Sequence, residues 1–362
     1  MNNKVWKFEA LLKNQKWISP GYITVTAEGR IIDVTSTISP GTKIDENVTG
    51  YFIPGFRNTH SHSFQYAMAG LSEYQSSESN IDNFWTWREQ MYSLALKITP
   101  DQLEATATFL YSEMLRNGYT HVTEFHYLHH DTNGQIYNNP AEMSIRLMNA
   151  AKKAKINLTL VPVFYQRGGF KNESHSKQKR FLLKSADDYY KFLDFVKIQA
   201  KNYPHVLVGS GIHSLRAVSP EEIIETCQNL TQQQPFHIHI AEQRKEVQEC
   251  NQVLKKNPIQ WLLDNVEVNE YYNLIHSTFI DPSEMNGLIK SKANVVLCPS
   301  TEANLGDGFF PFKEYNKQGG RWTIGSDSHI GLSPLEELRW LDYGERLKNN
   351  ERNPLCQDEN DD

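Results

Sequence analysis

The segment YFIPGFRNTHSH, residues 51–62, combines a short β-type run, Tyr51 to Phe56, with two histidines, His60 and His62, just beyond it. Similar short runs recur along the chain, and longer stretches with helical spacing of apolar residues separate them. The further runs are Thr120 to Phe125, Leu158 to Val163, Val206 to Ile212, Phe236 to Ile240, Asn273 to Ser277, Asn294 to Cys298 and Trp322 to Ser326. Eight strands alternating with helices predict an α/β protein with a closed (β/α)8 barrel of the TIM type. An open doubly wound sheet is disfavoured, because no glycine-rich dinucleotide motif follows the first run.

Local signals support the helices between the runs. Thr99 can cap a helix that has Pro100 in its first position and ends at Gly118, and Ser333 opens a last helix that reaches about Lys348. We therefore expect a barrel domain over residues 51–350. Residues 1–50 are predicted to form a small, incomplete β-sandwich from a meander of short strands, and residues 351–362 a short acidic tail.

Composition and charge narrow the class of protein. The chain has 362 residues, 37 basic and 43 acidic, and a formal charge of -6, without a basic block that would bind nucleic acid. The sequence shows no signal peptide and no apolar stretch that would span a membrane. The four cysteines have no CxxC spacing, which is typical of reduced thiols, so we expect a cytoplasmic protein. Cys298 is interpreted as a packed core residue.

A metal site is indicated by polar residues at the ends of the predicted strands. His60 and His62 follow the first strand, His239 closes the fifth, and Asp327 follows the eighth. The carboxyl ends of barrel strands form the face that carries active sites, and residues two apart in an extended segment point the same way. Three imidazoles and a carboxylate suit a divalent ion of borderline softness, with zinc the first choice and iron or manganese as alternatives.

Two further residues at strand ends suggest proton transfer. Glu242 lies three residues after His239, and His276 closes the sixth strand. A bound ion would lower the pKa of a water molecule, Glu242 would exchange protons with a substrate nitrogen, and His276 would orient or deprotonate the water. The remaining histidines are interpreted as ordinary core, loop or surface residues, with loop or surface positions for His129, His130, His175 and His205.

Several motifs carry a resemblance to a known group of enzymes. PGFRNTHSH (Pro54 to His62), HIAE (His239 to Glu242), His276 and GSDSH (Gly325 to His329) resemble the amidohydrolase superfamily. Longer segments resemble one family within it, the formimidoylglutamate deiminases of histidine degradation. These segments are HSFQYAMAG (residues 62–70), FWTWREQMY (84–92), EFHYLHH (124–130), YQRGGF (165–170), HSLRAV (213–218), HIHIAEQRKEV (237–247), PSTEANLGDGFFP (299–311) and the stretch from Gly319 to Leu347.

The resemblance implies a role for each matching position. His60, His62, His239 and Asp327 would hold one zinc ion, and Glu242 and His276 would be the catalytic pair. Gln65 and His213 would contact the formimidoyl group, whereas Arg88, Tyr127 and Arg216 would hold the carboxylates of the substrate. Arginine suits that task because it forms bidentate, charge-assisted bonds to carboxylates. The reaction implied is hydrolysis of N-formimidoyl-L-glutamate to N-formyl-L-glutamate and ammonia.

Other readings of the sequence are a deaminase of the same superfamily that acts on a nucleobase-like ring, and an inactive barrel that serves as a binding subunit. The paired arginines Arg88 and Arg216 disfavour the ring substrate. Members of the family continue past the eighth helix into strands that complete the N-terminal sandwich, and nothing after Arg352 matches those strands. The meander is therefore expected to present an unpaired edge that allows homodimerisation.

Overall fold

The computed structural model describes residues 3–72, 83–171, 176–229 and 233–356. The chain forms two compact units, Met1–Gly55 and Phe56–Asp362. The acidic segment 357–362 and His175 lie outside the described residues. Within the described ranges, no helix combines the length and apolar character that a membrane crossing requires.

The first unit is a small mixed sheet. Its strands are β1 (Lys4–Lys13), β2 (Lys16–Ile18), β3 (Gly21–Val25), β4 (Ile31–Thr35) and β5 (Glu46–Phe52). β1 is central: it pairs antiparallel with β2 and β3 and parallel with β5, while β4 adds to β3. Inward residues such as Phe8 and Leu11 are buried, whereas Ile31 and Ile32 of the edge strand β4 are exposed.

The second unit is a barrel of parallel strands. They are β6 (Phe56–Ser61), β7 (Tyr119–His126), β8 (Asn157–Phe164), β9 (Val206–Val208), β10 (Ser210–Ser214), β11 (Phe236–Ile240), β12 (Tyr272–His276), β13 (Asn294–Leu297) and β14 (Arg321–Ile324). Pairing runs in chain order from β6 to β14, with β9 and β10 together acting as the fourth strand. Contacts between β6 and the end of β14 close the ring, since the backbone N–H groups of Ser326 and Asp327 both donate to the carbonyl of His60. The predicted (β/α)8 barrel is confirmed.

Helices separate the strands. They are α1 (Phe84–Ala95), α2 (Pro100–Arg116), α3 (Glu142–Ala154), α4 (Ala186–Ala200), α5 (Pro220–Asn229), α6 (Arg244–Leu254), α7 (Pro258–Asn265), α8 (Pro282–Ser291), α9 (Pro299–Leu305), α10 (Phe312–Lys317) and α11 (Pro334–Asn349), with 3-10 turns at Ser63–Met68 and Ser176–Gln178. α2 begins where the sequence predicts, because the Thr99 and Gln102 side chains cap each other's backbone N–H groups. Its stripe of Leu103, Ala107 and Leu110 is buried.

The first barrel strand was predicted wrongly. Residues 51 and 52 belong to β5, where Tyr51 pairs with Ala10, and the barrel begins only at Phe56. Pro54 has no N–H to donate to a sheet, so it separates the two strands. β6 reads FRNTHS and lacks the apolar run that marks the other strands, because its buried side chains, Asn58 and His60, are polar.

The joint between β6 and the last strand needs a glycine. A Cβ on Gly325 would lie 2.7 Å from the Cβ of His60 and 2.9 Å from its backbone nitrogen. Asn58 also ties this joint, since its amide donates to Ser326 Oγ at 2.6 Å and accepts from the Ser326 N–H at 3.0 Å. Barrel closure thus sets the distance between the histidines after β6 and the aspartate after β14.

Candidate metal centre and active site

Four buried side chains converge at the carboxyl ends of the barrel strands. His60 lies in β6, His62 directly after it, His239 in β11 and Asp327 after β14, and one donor atom of each lies within 4.8 Å of all the others. The Nε2 atoms of His60 and His239 are 3.0 Å apart. Oδ1 of Asp327 lies 3.4 Å from His60 Nε2 and 3.2 Å from His62 Nε2. The structure therefore brings together all four residues predicted as ligands.

Hydrogen bonds on the far side of two rings fix their tautomers. Nδ1 of His62 lies 3.0 Å from the carbonyl oxygen of Phe125, and Nδ1 of His239 lies 3.1 Å from that of His213. Because a carbonyl only accepts, each Nδ1 carries the proton and each Nε2 presents a lone pair to the cluster. This is the arrangement that a metal-bound histidine requires.

The protonation states also suit a cation. Burial and the neighbouring His62 lower the pKa of His60 to about 3, so its ring is neutral. Burial opposes ionisation of Asp327, but its contacts with His60 and His62 outweigh it and hold the pKa of that carboxyl well below its usual range. Donor separations of 3.0–3.4 Å compare with roughly 3.3 Å between neighbouring ligands in a tetrahedral zinc site. These residues fit a divalent metal ion.

Glu124 anchors the end of β6 and the residues directly after it, the segment that carries His60 and His62. Its buried carboxylate accepts the backbone N–H and the hydroxyl of Ser63, both at 2.7 Å, the hydroxyl of Ser61 at 2.8 Å and that of Tyr111 at 3.1 Å. The sequence analysis did not single out Glu124, although it opens the quoted motif EFHYLHH. Its contacts hold the residues on both sides of His62.

The two residues predicted to move protons lie beside the donor cluster. His276 Nε2 is 3.7 Å from Oε1 of Glu242 and 3.8 Å from Oδ2 of Asp327. On its other side, Nδ1 is 3.1 Å from Oε1 of Glu302, which also accepts the backbone N–H of Cys298 at 3.0 Å. Burial disfavours the imidazolium, but Glu242, Glu302 and Asp327 outweigh it and raise the pKa of His276 to about 10.

Glu302 is a second residue that the sequence analysis missed. It lies within the quoted segment PSTEANLGDGFFP, four residues after Cys298 and inside the first turn of α9. Its carboxylate fixes the ring of His276 by bonding the nitrogen that faces away from the cavity. Cys298 is buried, as predicted, and its thiol lies close enough to His276 and Asp327 for the three to form a second group of metal-type donors that shares Asp327 with the first.

A cavity opens over the cluster. Its lining includes every residue that the resemblance assigns to the substrate, together with both members of the proton-transfer pair. The lining residues are His62, Gln65, Phe84, Trp87, Arg88, Met91, Tyr92, Tyr127, Tyr165, Phe181, His213, Arg216, His239, Glu242, His276, Leu305 and Asp327. One cavity is thus lined both by three of the four metal donors and by two arginines.

Gln65, Tyr127 and His213 form one side of this cavity. The amide of Gln65 donates to the hydroxyl of Tyr127 at 3.0 Å, and its buried Oε1 has no hydrogen-bond partner among the described residues. His213 stacks edge-on against Tyr127 and, at 4.5 Å between ring centroids, against Tyr165. Burial and the charge of Arg216 hold the pKa of His213 well below its usual range, so its ring is neutral.

The two arginines differ in their surroundings. Arg88, in α1, is half-buried and lies over the rings of Trp85 and Tyr92, 4.5 and 5.5 Å from their centroids. Arg216 follows β10, is only 5% exposed, and has Nη1 3.6 Å from Oε1 of the buried Glu246. Tyr92 and Tyr165 complete this side, and both hydroxyls accept hydrogen bonds from Gln178.

Two of the histidines expected in ordinary loop or surface positions are in fact buried. His129 and His130 are 1% and 8% exposed, and each has Nε2 against a backbone carbonyl, that of Val163 at 2.8 Å and that of Leu182 at 2.7 Å. Both lie in the loop after β7, so the loop alternative of the prediction holds and the surface alternative is wrong, because a histidine that donates to a carbonyl can be buried in its neutral form.

Comparisons with known proteins agree with this geometry. The model of the amidohydrolase family matches residues 51–353. A formimidoylglutamate deiminase from Pseudomonas aeruginosa is 44% identical over 353 residues, which are 97% of this chain and 76% of the relative. The crystal structure of an amidohydrolase from Brucella melitensis superposes with a TM-score of 0.92 at 38% identity, over 98% of this chain and 78% of that one. A 5-methylthioadenosine/S-adenosylhomocysteine deaminase from Thermodesulfovibrio yellowstonii is 23% identical over 87% of this chain and 67% of its own length.

Proposed function

The chain belongs to the amidohydrolase family, and from that premise we propose that it hydrolyses N-formimidoyl-L-glutamate to N-formyl-L-glutamate and ammonia. Water adds its oxygen to the formimidoyl carbon, the bond from that carbon to the terminal nitrogen breaks, and the nitrogen leaves as ammonia. The observation that carries the proposal is that one cavity is lined both by three of the four metal donors and by two arginines, Arg88 and Arg216. The similarity to the Pseudomonas aeruginosa deiminase supports the same substrate.

The donor cluster is a site for a divalent metal ion, and we propose zinc as the ion, with iron and manganese as alternatives. His60, His62, His239 and Asp327 would hold it. A divalent ion bound there lowers the pKa of water and so supplies a nucleophile at neutral pH. The neutral rings and the ionised carboxylate described above are the protonation states in which these side chains act as ligands.

Glu242 and His276 would carry the protons of the reaction. His276 lies between the carboxylates of Glu242 and Glu302, so an imidazolium there is stabilised, and its N–H would orient the attacking water. Burial raises the pKa of Glu242, against the opposing charges of His276 and Arg216. A carboxyl group in that state can pass a proton to the departing nitrogen, which must be protonated to leave as ammonia.

The rest of the cavity would recognise the two ends of the substrate. Gln65 and His213 would contact the formimidoyl group, and the unpartnered Oε1 of Gln65 is an acceptor suited to an N–H of that group. Arg88, Tyr127 and Arg216 would hold the carboxylates. A dicarboxylate needs more than one cationic anchor, and the two arginines come from different elements, α1 and the loop after β10.

Specific observations argue against the two alternatives that the sequence left open. A nucleobase-like ring would leave the charges of Arg88 and Arg216 without a matching group, at a desolvation cost. An inactive binding subunit would not need four donors within 4.8 Å of one another beside an oriented acid–histidine pair. The four cysteines and their spacing support our proposal that the enzyme works in the cytoplasm.

The direct test is ammonia release by the purified, metal-loaded protein. We expect turnover of N-formimidoyl-L-glutamate, little or none of N-formimidoylglycine, which carries one carboxylate fewer, and none of guanine. Elemental analysis of the same preparation identifies the ion. Turnover of guanine without turnover of the formimidoyl compound would show that the substrate is a nucleobase-like ring. If the metal-loaded protein turns over neither compound, a binding role is favoured.

A further inference from the structure

A buried acid, Glu246, connects two parts of the cavity that the proposed function uses separately. It lies in the first turn of α6, four residues after Glu242, and is 1% exposed. Its Oε2 accepts the backbone N–H of Glu242 at 3.2 Å, and its Oε1 lies 3.6 Å from Nη1 of Arg216. One carboxylate therefore contacts both the backbone of the proton carrier and the guanidinium of the substrate anchor.

Arg216 needs a counter-ion because its charge is buried. Removing a charge from water costs several kcal/mol unless an opposite charge is close. Burial disfavours the cation, but Glu246 is the largest of the acidic influences that raise the pKa of Arg216, and Glu242 also contributes. The charges of both carboxylates thus favour the guanidinium cation, and only one of them, Glu242, has a proposed role in proton transfer.

The contact with Glu246 leaves the guanidinium available. At 3.6 Å the pair is longer than a hydrogen bond, and neither Nη1 of Arg216 nor Oε1 of Glu246 has a hydrogen-bond partner among the described residues. The guanidinium is therefore held by charge, with donors still free for an incoming carboxylate. A closer pair with Glu242 would occupy those donors and tie up the proton carrier at the same time.

We propose that Glu246 is a positioning residue that holds Arg216 ready for the substrate carboxylate and prevents it from pairing with Glu242. This inference rests on the proposed function and adds a determinant of its specificity. Without the charge on Glu246, Arg216 would turn toward Glu242 in the free enzyme. A bound substrate would draw it back, so the cost would fall on substrate binding more than on the chemical step.

Glu246→Gln tests this role, because glutamine keeps the shape and can still accept the N–H of Glu242. We expect KM for N-formimidoyl-L-glutamate to rise about tenfold while kcat changes less than about threefold. Glu249→Gln is the matched control: it lies on the same helix, its side chain is 39% exposed, and it pairs with Lys245 at 3.9 Å. Its KM should equal that of the parent enzyme.

A double-mutant cycle separates positioning from general structural support. In an Arg216→Met background, Glu246→Gln should leave KM unchanged, because the residue through which Glu246 acts is gone. A tenfold rise that persists in that background, or an unchanged KM in the single variant, overturns the inference. If Glu246→Gln fails to fold, Glu246→Asp keeps the charge but withdraws it from Arg216, and should raise KM in the same direction. If the parent enzyme releases no ammonia from this substrate, it is the proposed function that fails.

Discussion

Replacing Arg216 with methionine should weaken both substrate binding and the fold, by separable amounts. A charge-assisted bidentate bond to a carboxylate contributes on the order of 1.5 to 3 kcal/mol, so its loss should raise KM by roughly 10- to 150-fold. Metal content should not change, because Arg216 is not among the four donors of the cluster. Methionine fills a similar volume without charge or donors.

The effect on stability follows from Glu246. Arg216→Met leaves that carboxylate buried without its cation, and breaking a buried ion pair in this way costs about 3 to 5 kcal/mol. Adding Glu246→Gln removes the uncompensated charge. The double variant should therefore regain most of the lost free energy of unfolding, while its KM stays as high as that of Arg216→Met.

The measurements are urea unfolding and steady-state ammonia release on the same metal-loaded preparations. Arg244→Met is the control: this exposed arginine of α6 lies over the ring of Phe279, at 4.9 Å, and should change neither quantity substantially. The reasoning is refuted if KM of Arg216→Met stays within about twofold of the parent value. It is also refuted if the double variant is no more stable than the single one.

Three further expectations concern the metal, the chemistry and the response to acid. The parent protein should hold about one divalent ion per chain and His239→Ala should lose most of it; elemental analysis that finds no transition metal in active protein would contradict the site. Glu242→Gln should retain the ion yet lower kcat by about 10² to 10⁴, and an undiminished kcat would remove it from the proton pathway. Burial and the nearby charge of Arg180 lower the pKa of His126 to about 3, so the ring stays neutral in the folded protein and takes up a proton in the unfolded chain below pH 6.5. The contribution of His126 to the free energy of unfolding is therefore complete above pH 6.5 and falls by about 1.4 kcal/mol per pH unit below it. His126→Leu should therefore reduce the slope of the free energy of unfolding between pH 6.5 and 4 by about 1.4 kcal/mol per pH unit, and a slope equal to that of the parent would show that His126 is protonated in the fold.

The donor cluster could be predicted from the sequence because the predicted fold brings these residues together. In a parallel barrel the carboxyl ends of all strands meet at one face, so polar residues at the ends of the predicted strands are expected to lie near one another. His239 and Asp327 are 88 positions apart, yet strand counting alone places them together. The same argument located Glu242 and His276, whose side chains lie 3.7 Å apart.

Strand prediction failed where the buried residues are polar. Apolar runs mark strands that face other apolar surfaces, whereas β6 fills the barrel with Asn58 and His60. Asn58 bonds to Ser326, and Nε2 of His60 contacts His239, and both partners are more than 170 positions away in the chain. Local sequence patterns do not reveal those partners, so the first barrel strand was predicted at the nearest apolar run, Tyr51 to Phe56.

The supporting carboxylates were missed for a related reason. Glu246 and Glu302 each stand four residues after a predicted site residue or a strand end, where glutamate is ordinarily a solvated helix-start residue, and Glu124 lies within β7, where a glutamate ordinarily faces solvent. Only the fold shows that they are buried and which donors they receive. Their spacing is nevertheless informative. A glutamate four residues after the predicted proton carrier, as Glu246 is after Glu242, lies in the first turn of the helix that follows and can accept the backbone N–H of the earlier residue.

The backbone at the site is strained, and the buried acids offset part of that strain. Ala241, His276, Ser277 and Asp327 have φ values of 52°, 69°, 54° and 47°, in the left-handed region that non-glycine residues rarely adopt. Each such residue costs on the order of 1 to 3 kcal/mol. Glycine would relieve the cost but would remove the imidazole of His276 and the carboxylate of Asp327. These bends turn two strand ends so that their side chains face the cavity, and Glu302 holds His276 in that position. The strained backbone is therefore needed to place these side chains. Substitutions that relax the backbone at these positions should stabilise the fold only by moving the side chains away from the cavity.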